Sequence, residues 1–140
     1  MCIVTKKKGV TEKDKLIYKV LVKLDDGYFF PYRTHYGEKE GINKFSSYKE
    51  INEGLFEAFH FDAGYGFHAF ATTKMANAYI KCMKKKHTFE HKQKLVIVKF
   101  FVPEGTKIRK GVVKKGYVGS GLSAIAVEKM VFYKEMKIRK

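Results

Sequence analysis

The chain has 140 residues, 45% hydrophobic and 15% aromatic, which excludes a wholly disordered tail or a collagen-like fibre and is enough for one domain without disulfide staples. Its 29 Lys and Arg face 14 Asp and Glu, a formal charge of +15. No apolar run approaches the ~20 residues of a membrane-spanning helix, and Met1-Cys2-Ile3-Val4 before Lys6-Lys7-Lys8 is too short for a signal peptide, so a soluble cytoplasmic protein is expected.

The elements follow in chain order. Leu16–Leu24 is apolar and β-branched, and Asp25-Asp26-Gly27 supplies turn chemistry for a hairpin into Tyr28-Phe29-Phe30, which Pro31 ends. Residues 34–54 turn polar and glycine-bearing and read as loop with one short element. Gly64–Phe70 reads as a short strand, after which Thr72 or Thr73 can cap a helix. Over 73–86, Met75, Tyr79, Cys82 and Met83 share one side while Lys74, Asn77, Lys81, Lys84 and Lys85 share the other, the 3.6-residue period of a half-buried helix. Leu95–Val102 reads as a central strand broken by Pro103-Glu104-Gly105, and Thr106–Val113 and Ala124–Tyr133 as further strands around a glycine-rich turn. The expected fold class is α+β: a mainly antiparallel sheet with one principal helix packed on one face, in a single domain over 1–140.

Charge is uneven along the chain. Residues 1–80 carry 12 basic and 10 acidic side chains, and residues 81–140 carry 17 and 4. Such a surplus attracts polyanions; the competing reading is that the lysines serve solubility. Only Arg33, Arg109 and Arg139 offer the bidentate fork that reads guanine. Attraction to phosphate is therefore expected ahead of base-specific readout.

Five features bear on candidate chemistry. The run Lys110–Ser123 holds Gly111, Gly116, Gly119 and Gly121 beside Lys114 and Lys115, so backbone N–H groups and ammoniums can meet one anion, although the spacing is not that of a Walker loop. The alternative there is a hairpin whose glycines permit positive φ. His87-Thr88-Phe89-Glu90-His91 lacks a third metal ligand and reads as a solvated loop. His60 and His68 lie among phenylalanines, as a polar group in an apolar pocket would or as satisfied core residues. Cys2 and Cys82 have no pairing spacing, and Cys82 reads as a small buried hydrophobe. Tyrosines near Lys, Arg or Gly, including Tyr65 and Tyr117, suit stacking on nucleobases or protein interfaces.

The segment Gly66-Phe67-His68-Ala69-Phe70-Ala71-Thr72-Thr73 through Tyr79 resembles ADP-ribosyltransferase-like domains, in which a strand enters a helix through a hydroxyl-bearing turn. That resemblance, about a tenth of the chain, implies a nicotinamide-dinucleotide enzyme or a degenerate relative. The first motif of that family is not visible and Glu128 stands in no Gln-x-Glu or Glu-x-Glu context. The same segment, with Met1-Cys2, Tyr18-Lys19-Val20 and Val102–Thr106, also resembles small proteins of bacteriophages and gut bacteria, which implies a phage origin and a host-cytoplasm setting but no substrate.

The leading expectation is a non-enzymatic binding module for a phosphate-bearing partner, a nucleic acid or a nucleotide, with no resident cofactor or metal. Lys81, Lys84, Lys85, Arg109, Lys114 and Lys115 form its expected cationic surface, and Tyr65, His68 and Tyr117 its pocket contacts. The alternatives are the transferase-like enzyme and an inhibitor that docks on an acidic host protein.

Overall fold

The structure is a computed structural model, and it describes residues 3–24, 27–29, 44–45, 55–57, 61, 66–86, 94–116 and 118–136. In chain order these form β1 (Ile3–Val10), β2 (Lys15–Leu24), β3 (Gly27–Phe29), β4 (Lys44–Phe45), β5 (Leu55–Glu57), β6 (Phe67–Ala69), helix α1 (Thr73–Lys86), β7 (Lys94–Val102), β8 (Lys107–Val113), β9 (Ser123–Val127) and β10 (Lys129–Glu135). The strands make two antiparallel sheets, ordered β1-β8-β9-β6 and β4-β3-β2-β7-β10-β5. The class is α+β with one principal helix over 73–86, and the antiparallel strands are divided between two sheets.

The division has a local cause. The apolar run Ala124–Tyr133 does not form one strand: Val127 pairs with Ile108 and Phe67, and Lys129 pairs with Glu57 in the other sheet. Glu128 stands at the corner, its N–H donating to the Lys107 carbonyl at 3.0 Å. One continuous stretch of chain therefore feeds both sheets. Tyr18 of β2 and Phe70, just past β6, exchange both backbone hydrogen bonds at 2.8 Å and close the sheets on each other.

Between the sheets lie Ile17, Leu21, Val98, Phe100, Val102 and Met130 from one and Ala69, Ile108, Ile125 and Val127 from the other. Alternation along β7 sends Val96, Val98, Phe100 and Val102 to that core and Leu95 and Ile97 to the opposite face. Helix α1 covers Leu95 and Ile97 with Ala76, Tyr79 and Met83, as its periodicity predicts. Thr72 caps it, its hydroxyl accepting from the Met75 N–H at 3.3 Å. Cys82 is a free, half-buried thiol on this helix.

Two features fasten β1, a strand absent from the sequence expectations. Gly111 of β8 passes so close to β1 that a Cβ would fall 1.9 Å from the Val4 carbonyl oxygen. After β1, Thr11 clasps the β7–β8 turn: its hydroxyl donates to Pro103 O at 2.7 Å and accepts from Thr106 N–H at 3.0 Å.

Candidate anion-binding recess

Strand register sets a row of side chains across the four-stranded sheet. Lys8 pairs with Arg109, Arg109 with Ala126, and His68 with Ala126, so Lys8, Arg109 and His68 share the face turned away from the inter-sheet core. Two residues along, Val10 pairs with Lys107 on the same face. Lys8, Val10, Lys107 and Arg109, with Phe61 and the backbone of Gly9 and Ile108, line an open-sided recess of about 390 Å³. That volume lies within the ~300–1,000 Å³ usual for small-ligand sites.

Arg109 is fixed in the wall of the recess. Its guanidinium lies 4.5 Å from the Phe61 ring centroid and donates through Nη1 to the Phe61 carbonyl at 2.9 Å. Only 8% of Arg109 is exposed, so it is not the surface cation that the sequence analysis placed with the lysines. The strand alternation that puts it beneath Phe61 is the reason, and a weakly hydrated, planar guanidinium can stack on that ring while it donates in its own plane. Gly66 backs the same ring, since a Cβ there would meet Phe61 carbons at 3.0 Å. Phe61, with Arg109 over it and Gly66 beside it, is 6% exposed and offers no free face to a base.

His68 stands behind this wall, half-buried, with Lys19 beneath it. The Lys19 ammonium donates to the His68 carbonyl at 2.6 Å. Burial first, and then the positive charges of Lys19 and Arg109, pull the His68 imidazole down to about 3, so the ring is neutral at pH 7. Burial alone pulls Lys19 down to about 7.

The remaining cations predicted for the site lie elsewhere. Lys81, Lys84 and Lys85 are exposed on α1, and Lys114 and Lys115 are exposed in the turn after β8. Gly119 in that turn lies against the Tyr79 ring, which brings turn and helix together. Lys114 and Lys115 follow the far end of β8, with Val113 about 13 Å from Arg109 at the usual rise per residue. The predicted cationic surface is thus divided: five exposed lysines on α1 and in the turn after β8, and a recess that keeps Arg109 and takes Lys8 and Lys107 instead. Tyr65 and Tyr117 lie outside the described residues, as do His60 and the His87–His91 stretch.

Lys8 and Lys107 escaped sequence reasoning, and Phe61 entered it only as one of the phenylalanines around His60 and His68. The one available signal was the alternation of Lys8 and Val10 opposite Lys107 and Arg109, which is readable only once the β1–β8 register is known. Among the described residues no three His, Cys, Asp or Glu gather as a metal site, and no helix is long and apolar enough to cross a membrane. Compared with protein-family models, curated proteins and solved structures, the chain gives no significant match.

Proposed function

We propose that the protein is a non-enzymatic binding module that captures a phosphate group of a nucleic acid or nucleotide in the recess between β1, β8 and Phe61. The observation that carries this reading is the recess itself, where three cations, Lys8, Lys107 and Arg109, line one concavity of ligand size. Arg109 is preorganised by its contact with Phe61, so a phosphate oxygen meets a donor that has already lost its rotamer freedom. Lys8 and Lys107 are exposed and add point charges at the rim. Lys19 and Arg109 place positive charge behind the wall, a cause second to burial in lowering the His68 imidazole.

Titration calorimetry at low salt with inorganic phosphate, pyrophosphate and ATP tests the reading. Binding is expected to tighten with phosphate count, and Lys8→Ala and Lys107→Ala are each expected to weaken ATP binding about tenfold, the size of one charge-assisted contact. Bound pyrophosphate is also expected to raise the His68 pKa, followed by the imidazole proton resonances. ATP affinity unchanged in the Lys8→Ala, Lys107→Ala double variant would remove the recess as the site.

A further inference from the structure

The outer face of the six-stranded sheet carries a separate aromatic and cationic patch. Lys99 and Phe101 lie on the β7 face that α1 covers at Leu95 and Ile97, but beyond the helix. On β10 the pairing with β7 is irregular between Phe132 and Lys134, the position of Tyr133. Phe101 is 36% exposed and Tyr133 45%, and their rings meet edge to face at 4.7 Å. Two lysines attend them. Lys99 Nζ stands 5.8 Å from the Tyr133 centroid and 5.9 Å from that of Tyr18, and Lys134 Nζ stands 5.4 Å from Tyr133.

We propose that this face is a stacking platform for single-stranded nucleic acid, a site distinct from the recess. Exposed rings on a sheet surface accept any base on their faces, and flanking ammoniums meet the phosphates that join the bases. The cations now lying over Tyr133 do not oppose this. An exposed cation–π contact is weaker than a stacked base, so an arriving base displaces the ammonium, which then reaches the backbone. The lysines also select the occupant. Protein interfaces favour Tyr and Phe but are depleted in Lys, whereas Tyr18, Phe101 and Tyr133 are interleaved with Lys99 and Lys134. A duplex keeps its base faces stacked inside and offers the rings nothing, so the preference is for an unpaired strand. The recess lacks this property, because Phe61 already holds Arg109.

Fluorescence anisotropy at low salt distinguishes the two sites. The ligands are a labelled oligothymidylate of about fifteen nucleotides, an upper site size for one such surface, an abasic deoxyribose-phosphate strand of equal length, and the corresponding duplex. The base-bearing single strand is expected to bind tightest. Tyr133→Ala is expected to weaken it by roughly 5- to 150-fold, the loss of one stacked base, while Tyr133→Phe retains affinity and abasic binding does not change. Lys134→Glu, at an exposed position, is expected to weaken both strands. ATP affinity, read at the recess, is expected to be unaltered in Tyr133→Ala. Equal affinity for base-bearing and abasic strands, an unaffected Tyr133→Ala protein with an unshifted thermal melt, or retention on anionic lipid vesicles without oligonucleotide binding would each overturn the platform and leave the recess reading to its own phosphate titration.

Discussion

Lys19 is an ammonium in the inter-sheet core. It follows Ile17 and precedes Leu21 on the same face of β2, is 7% exposed, and has a pKa lowered by burial to about 7 against 10.5 in an unfolded chain. Between those values the unfolded state binds the extra proton, so this group makes stability rise with pH from about 7 to about 10, at no more than ~1.4 kcal/mol per pH unit, and leaves it flat below 7. His68 acts in the same sense in acid: with the folded value near 3 and the free value 6.5, it raises stability from pH 3 to 6.5. Urea midpoints are expected to increase from pH 7 to pH 9.5. In Lys19→Met that alkaline slope is expected to vanish while the protein stays folded, because a buried charge exchanged for an apolar chain of similar length is often neutral or stabilising. A slope that survives the substitution would assign it to other groups. The sequence shows Lys19 inside an apolar run, but only the packed second sheet makes its position interior.

At the scale of elements, β1 depends on a residue without a side chain. Gly111→Ala places a methyl group on the Val4 carbonyl and forces the strands apart, an expected loss of about 3 kcal/mol or more. Hydrogen exchange should show β1 amides losing protection before those of β7, and β1 staying protected in Gly111→Ala would contradict that account. Thr11→Val removes a hydroxyl that both donates and accepts in the clasp, leaving the buried Thr106 N–H with one partner fewer, at a cost of about 1–3 kcal/mol in urea unfolding. Helix α1 was legible as it stands, since a 3.6-residue period with a threonine cap needs no tertiary information. Strand β1 was not: Val4 and Val10 are 45% and 57% exposed, so its sequence carries almost no apolar alternation to detect. The glycine that admits β1 was visible, but the carbonyl against it was not.

Across the whole molecule, the surplus of charge acts as a field, and its signature is salt. Oligonucleotide affinity is expected to fall linearly in log–log form with salt. Removing Lys8 or Lys134 is expected to reduce the slope by about 0.7 each on a single strand if both sites engage it, one released counterion per lysine. A slope unchanged in either variant would show that this lysine meets no phosphate. The lysines of α1 and of the turn after β8 also belong to this field. Their separation from the recess predicts that Lys84→Ala changes long-range capture more than the affinity of ATP, measurable as an association rate that depends on ionic strength.

By itself the sequence determined the class of fold, the helix, the central strand β7 and the sign of the molecular charge, because periodicity, turn chemistry and ionisation are local properties of the chain. Tertiary structure decided which cations meet. Lys8 and Arg109 lie about a hundred residues apart and become neighbours only through the β1–β8 register. The same pairing rules, with the corner at Glu128, bury Arg109 under Phe61 and leave Phe101 and Tyr133 partly exposed beyond the end of the helix. Register and burial depend on contacts between distant segments, and no window along the chain contains them.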